Sequence, residues 1–385
     1  MGYISYKKAL HIICQFLIII IVVELRSCLA KNSPANFVFG DSLVDSGNNN
    51  YIISLSKADC VPNGIDFGHP TGRYTNGRTI IDIIGQELGF NGFTPPYLAP
   101  STAGPTILQG VNYASGGGGI LNQTGKIFVG RINLDAQMDN FANTRQEIIS
   151  KIGSTAAMEL FKHALFSVTI GSNDFINNYL TPILSKLEQK LIPPEIFVEA
   201  MISRFRVQLT RVYSMGGRKI VVANVGPIGC IPYQREINII PVGGGAGAGA
   251  GNDIIINGSS CAVFPNELAQ LFNAQLRGLV MELCANLQGS QFIYADVYHI
   301  VDDIIQNYIS FGFENANSSC CYVAGVYGAL IPCGPKSKVC EDRSKFVFWD
   351  PYHPSDATNV LIAKRLLDGD PAHIWPINIR NLMAN

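Results

Sequence analysis

The 385-residue sequence predicts an α/β fold: a mainly parallel five-stranded sheet with helices on both faces. Three observations point there. Five short runs rich in β-branched and aromatic residues recur at wide intervals. Between several of them lie stretches with apolar residues at helical spacing. No linker divides the chain near its midpoint, so residues 31–385 read as one domain.

Taken in order, the strand runs are Ala35–Phe39, Val111–Ala114, Leu165–Ile170, Lys219–Asn224 and Gln291–Asp296. Helical patterns cover Thr79–Leu88, Glu195–Met215, Phe264–Leu287 and Ala357–Leu367. The second stops at Gly216-Gly217, as helices commonly do. The last puts Leu361, Ile362, Leu366 and Leu367 on one side before Gly369. The stretch Gly243–Gly251 reads GGGAGAGAG, has no side chains to pack, and is expected to be a flexible loop.

Residues 1–30 read as a secretory signal peptide. Lys7 and Lys8 precede an apolar run from Ala9 to Val23, and Cys28-Leu29-Ala30 forms a small-x-small cleavage site. His11 and Gln15 interrupt the run, and it falls short of the roughly 20 apolar residues that span a bilayer, so no stable membrane anchor is expected. The implied location is extracellular, an oxidising compartment. Beyond the leader remain Cys60, Cys230, Cys261, Cys284, Cys320, Cys321, Cys333 and Cys340, an even set that reads as disulfides of undetermined connectivity. Cys284 lies in a helical pattern and reads equally well as a buried thiol. Asn122, Asn257 and Asn317 head N-x-S/T triplets and are expected glycosylation acceptors.

Composition excludes other classes. Only 15% of residues are charged and 47% are hydrophobic, unlike a disordered chain. With 28 basic against 29 acidic side chains, no nucleic-acid partner is expected. The cysteine and histidine spacings hold neither C-x-x-C nor H-E-x-x-H, so neither metal nor cofactor is expected.

The chemistry lies in four short blocks. Gly40-Asp41-Ser42-Leu43 follows the first strand, where ligands bind in open α/β sheets. A serine there is ordinarily a helix cap, but Asp350-Pro-Tyr-His353-Pro354 at the far end changes the balance. Three-residue spacing on a tight turn can set a carboxylate against one imidazole nitrogen, leaving the other to accept a hydroxyl proton. Gly116–Gly119 follows a strand end and offers backbone N–H groups, and Gly171-Ser-Asn173-Asp174 offers a side-chain amide. The glycine run fits neither G-x-G-x-x-G nor a Walker loop, which excludes phosphate binding of those types. Asp41, Asp45, Asn48 and Asn49 read as cap and loop residues, and Arg73 and Arg78 as partners of acids. Tyr97, Phe128 and Tyr179 read as core packing rather than as a lipid-like groove.

In this order, the four blocks resemble those of the GDSL, or SGNH, esterase/lipase family. Pro70–Arg78, Asn224–Pro232 and Cys320-Cys321 look like its plant secreted branch. The resemblance spans nearly all of the chain beyond the leader; the Gly/Ala-rich stretch is longer than the family pattern leads one to expect. It implies a flavodoxin-like three-layer α/β/α sandwich, the SGNH hydrolase fold. It also implies a catalytic set of Ser42 as nucleophile, His353 as base and then acid, and Asp350 as orienter. The implied oxyanion hole is the Ser42 N–H, the Gly116 N–H and the Asn173 amide. The expected activity is hydrolysis of small-molecule or lipid esters by a monomer through an acyl-enzyme on Ser42. Two alternatives are acyl transfer from the same intermediate and a catalytically silent secreted binding or defence protein.

Overall fold

Five parallel strands form where the sequence pattern puts them: β1 (Asn36–Gly40), β2 (Gly110–Asn112), β3 (Leu165–Thr169), β4 (Lys219–Ala223) and β5 (Gln291–Ala295). The structure, a computed structural model, describes residues 35–181, 191–239 and 261–384. The leader, the Gly/Ala-rich stretch and Asn257 lie outside the described residues. A pair, β6 (Asn315–Ser319) with β9 (Phe346–Phe348), and a smaller pair, β7 (Cys321–Tyr322) with β8 (Lys338–Val339), stand apart from the main sheet.

One strand of the main sheet was not expected, nor were the two small pairs. β10 (Ile374–Trp375) adds to the sheet antiparallel to β5, giving the order β10-β5-β4-β3-β1-β2. Two residues carry too little pattern to read as a strand. The chain leaves β1 for β2 on one side and then crosses back to β3 on the other, so the sheet reverses direction at β1. Such a reversal opens a crevice at the carboxyl ends of the strands, and Ser42 lies just beyond that end of β1.

Helices cover both faces. The sequence pattern located α1 (Ile80–Glu87), α4 (Pro194–Ser214), α6 (Val263–Asn286) and α8 (Asp356–Asp368) to within a residue or two. It did not show α2 (Leu134–Ile152), α3 (Ser154–His163), α5 (Pro232–Ile239), α7 (Val297–Gln306) or α9 (Ile379–Ala384). None of the described helices is long and apolar enough to cross a membrane.

The two sheet faces are built differently. Because parallel strands pair in register, Phe37 neighbours Phe166, and Ile220 neighbours Phe292, on one face. Phe37 packs 5.2 Å from Phe141 of α2 and 5.7 Å from Phe161 of α3, between ring centres. Phe37, Phe39, Phe166, Ile220 and Phe292 are all 0% exposed. The opposite face ends in a row of smaller residues, Gly40, Thr169, Ala223 and Ala295, on four neighbouring strands. Burial of the aromatic face supplies much of the folding drive, at about 25 cal/mol per Å2 of apolar surface.

Among the described residues three disulfides form: Cys230–Cys261, Cys320–Cys340 and Cys321–Cys333. Cys60 and Cys284 remain free, so the even set does not pair completely. Cys284 is half-buried in α6, as its helical pattern suggested. The paired cysteines at 320 and 321 hold their loop against the strand that leads to the histidine: the N–H groups of Cys320 and Cys321 donate to Phe348 O and Trp349 O.

Candidate active site

Two segments more than 300 residues apart meet at the carboxyl edge of the sheet. At the first, β1 ends at Gly40, whose N–H donates to Gln137 Oε1 at 2.9 Å while Gln137 Nε2 returns a bond to Gly40 O at 2.8 Å. A β-carbon at Gly40 would sit 2.4 Å from Thr169 O, so only glycine lets the strand end this close to its neighbour. The chain then turns tightly. Val44 and Asp45 donate their N–H groups to Asp41 O, and Asp41 Oδ1 accepts from Leu43 N at 3.0 Å. This leaves Ser42 at the apex. Asp41 is therefore structural, as the sequence suggested, but it closes a turn rather than capping a helix, and its Oδ2 is buried and has no hydrogen-bond partner. Burial, above all, pushes its carboxyl up to about 7.

At the second segment, Trp349 is fully buried and donates through Nε1 to Asn63 Oδ1. Its N–H bonds to His353 O, closing the turn. Asp350 Oδ1 accepts the N–H groups of Tyr352 and His353 at 2.8 and 2.7 Å. The same carboxylate meets His353 Nδ1 at 2.9 Å through Oδ1 and 2.8 Å through Oδ2. With Nδ1–H donating to the acid, Nε2 is left as the acceptor, and it stands 2.7 Å from Ser42 Oγ. The Tyr74 ring packs 5.2 Å from the imidazole, centre to centre, and helps fix its plane. This arrangement can draw the hydroxyl proton onto a neutral imidazole and stabilise the imidazolium that forms.

Of the residues expected to form an oxyanion hole, Ser42 and Asn173 line the same cavity and Gly116 does not. Asn173 lines the cavity at Ser42; one amide hydrogen donates to Gly118 O at 3.0 Å, and its Oδ1 accepts from Asn177. The Ser42 N–H has no acceptor among the described residues. Gly116, in contrast, already donates its N–H to Asp45 Oδ2 at 3.1 Å, and it does not line the cavity. Gly117 does, at φ 80°, and its N–H has no acceptor among the described residues. Gly116 instead fills a steric role: a β-carbon there would fall 2.1 Å from Tyr74 Oη.

Sequence reasoning undervalued the residues around Ser42. Asp45 accepts three backbone N–H groups, from Gly47 and Asn48 at 2.7 Å each and from Gly116. Asn48 bridges Asn112 O and Ala114 O, and Asn49 reaches Gly116 O at 2.9 Å. Asp45 Oδ1 closes its own turn, as expected of a loop residue, while Asp45 Oδ2, Asn48 and Asn49 also tie distant loops together. Asp174 accepts from Ile120 N, Leu121 N and Thr124 Oγ1, fixing the loop after Gly119 against Asn173. Burial raises both Asp45 and Asp174 to about 6. Arg73 pairs with Asp82 at 2.7 Å and Arg78 with Asp356 at 2.8 Å, as expected for structural arginines. Between them, Thr75 Oγ1 donates to Pro354 O, tying this segment to the histidine turn.

A cavity of about 310 Å3 opens at Ser42 and runs between the small-residue face of the sheet and the helix layer of α1, α7 and α8. Phe128 lines it, against the expectation of core packing; Tyr179 is core, packed 4.7 Å from Phe197, and Tyr97 packs against Tyr113. Asn122 is exposed and Asn317 half-buried.

Residues 37–366 match the GDSL-like Lipase/Acylhydrolase family. Of similar Arabidopsis thaliana proteins, GDSL esterase/lipase At4g16230 is 61% identical over 371 residues, covering 96% of both chains. GDSL esterase/lipase At2g23540 is 49% identical over 353 residues, covering 90% of this chain and 87% of its own. GDSL esterase/lipase At3g50400 is also 49% identical, with 90% of each chain covered. Neither acyl transfer nor a silent binding role is favoured by these relatives. The chain belongs to the GDSL-like lipase/acylhydrolase family and is an ester-hydrolysing serine hydrolase.

Proposed function

We infer that ester hydrolysis runs through an acyl-enzyme on Ser42, and the observation that carries this is the chain of contacts from Ser42 Oγ through His353 to Asp350. Ser42 Oγ attacks the ester carbonyl carbon while its proton passes to His353 Nε2. The new C–O bond pushes the carbonyl electrons onto oxygen, and the Ser42 N–H, the Asn173 amide and the Gly117 N–H receive that charge. Gly117 takes the place that the family pattern gives to Gly116, because the Gly116 N–H is already used by Asp45. Collapse of the intermediate breaks the bond to the alcohol oxygen, which takes the proton from His353 and departs. Water then gives a proton to His353, attacks the acyl carbon, and releases the acid as the proton returns to Ser42 Oγ.

The protein acts outside the cell as a monomer of one catalytic domain beginning at residue 31. Three disulfides in one chain and the basic–apolar leader support this location. Asn122, Asn257 and Asn317 are its glycosylation acceptors.

A fluorophosphonate probe tests the nucleophile. Intact-mass and peptide analysis should place a single adduct on Ser42, and Ser42→Ala should abolish both label and turnover. An adduct of equal yield on folded Ser42→Ala protein would sink the assignment.

A further inference from the structure

We propose that the acyl chain of the substrate is a long unbranched aliphatic one, bound inside the protein between β4 and the α7–α8 layer. This rests on Ser42 being the nucleophile.

The cavity is the primary observation. It begins at Ser42 and His353 and continues inward past Ala223 and Val221 on the sheet, facing Ile81 of α1, Val297 of α7 and Leu366 of α8. These five residues sit in the middle of the molecule, yet each keeps 4–8% of its surface accessible. On the opposite sheet face Phe37, Phe166, Ile220 and Phe292 keep none. A core packs to the density of an organic crystal, so residual accessibility at five buried residues that line one cavity marks an internal void. Residue size explains it. Where the aromatic face fills its layer with phenylalanine, this face offers alanine and valine at the same depth.

The void has a definite size and chemistry. The whole cavity, mouth included, measures about 310 Å3, which limits the enclosed chain to roughly ten methylene-sized groups, at about 30 Å3 for a water-sized group. The inner walls are mostly hydrocarbon, broken by Ser167 beside Val221 and Thr169 beside Ala223, so a sugar or a charged acid placed there would lose most of its hydrogen bonds to water. An unbranched chain would not. The mouth differs: the half-buried Ser56 and Lys57 line it, beside Leu55, which is 74% exposed.

The order of the chemical steps assigns the interior to the acyl part. The alcohol must leave while the acyl group is still bonded to Ser42, and the open mouth gives it a path to solvent. The acyl chain stays through the second step and can occupy a closed space without obstructing the first release.

Position along β4 gives the cavity a ruler. Val221 lies two residues deeper than Ala223, which is about 6–7 Å along a strand. Ala223→Leu should therefore shorten the accepted chain more than Val221→Phe does, and Leu366→Ala should lengthen it.

The experiment measures kcat/KM over p-nitrophenyl esters from acetate to myristate, and separately over acetate esters of alcohols of the same lengths. For the wild type, each added acyl methylene should raise kcat/KM about fourfold up to roughly ten carbons, then no further. The alcohol series should stay nearly flat. Ala223→Leu should cut the laurate value at least tenfold while leaving acetate hydrolysis and labelling by a small fluorophosphonate within about twofold.

A wild type that labels at Ser42 but shows no rise with acyl length overturns the subsite and leaves the nucleophile standing. So does a folded, labelled Ala223→Leu with the wild-type profile, or a variant that shifts the alcohol series instead. If neither filling variant folds, the wild-type series and Leu366→Ala decide alone. Absence of labelling at Ser42 in the wild type sinks the nucleophile reading and the subsite together.

Discussion

The two halves of the site are held in opposite ways. The histidine turn is local: Asp350 binds the side chain and the N–H of a residue three positions on, and Trp349 closes the loop onto His353. The nucleophile turn is anchored at a distance. Gly40 is clamped by Gln137, and Asp45 holds Gly116, 71 residues away. A base needs its tautomer and ring plane fixed, which one neighbouring carboxylate can do. An oxyanion hole needs N–H groups from separate loops to converge, which only long-range ties can do. Chemistry should therefore be sensitive to the first half, and folding to the second.

Breaking the local half should have the largest effect. His353→Ala should lower kcat by about 10³-fold or more, equivalent to about 4 kcal/mol of transition-state stabilisation. Asp350→Asn keeps an oxygen for the two backbone N–H groups but offers the histidine a poorer partner. Its kcat should fall by a similar factor with the urea midpoint nearly unchanged. An Asp350→Asn enzyme with wild-type kcat would remove the orienting role.

Breaking the long-range half should register first as stability. Asp45→Ala leaves the N–H groups of Gly47, Asn48 and Gly116 without their acceptor. At about 1–3 kcal/mol for each stranded buried group, a loss of about 3 kcal/mol or more is expected in urea denaturation. If Asp45→Ala unfolds at the wild-type midpoint, the contrast between the halves fails.

The smallest effect sharpens the contrast through pH. The buried Asp41 carboxyl, pushed up to about 7, binds a proton in the folded state that the unfolded chain releases near 4. Stability from this group is greatest below about pH 4 and falls as pH rises through about 7. Asp41→Asn keeps an acceptor for Leu43 N and removes that penalty. Denaturation midpoints at pH 5 and pH 8 should show a gain of order 1 kcal/mol at pH 8 and less at pH 5. An equal gain at both would place the effect elsewhere.

This asymmetry also decided what was legible in the sequence. The Asp350–His353 spacing is written in four consecutive residues, and Ser42 follows a strand whose apolar run is plain. Both could be read without knowing the fold. That Asp45, Asn48 and Asn49 are cross-loop ties could not, because their partners are set by the sheet order rather than by neighbours. That the Gly116 N–H is held by Asp45 could not be read for the same reason, since that acceptor comes from another loop. Among the elements, α4 and α6 announced themselves by length. α2 did not, since much of its stripe is polar and Gln137 turns inward to clamp Gly40. The pairing of Cys230 with Cys261 likewise depends on a fold that spacing alone does not specify.

The unequal faces of the sheet have a consequence for how such a protein can change over generations. Substitutions among Phe37, Phe166 and Phe292 alter a layer with no free volume, and each costs about 3–5 kcal/mol when truncated to alanine. Substitutions at Ala223 or Val221 meet space already present. One side of a single sheet is thus closed to drift while the other tolerates it, and the serine sits on the boundary. A lineage can retune what it digests by changing a residue or two, without rebuilding the scaffold or disturbing the groups that react.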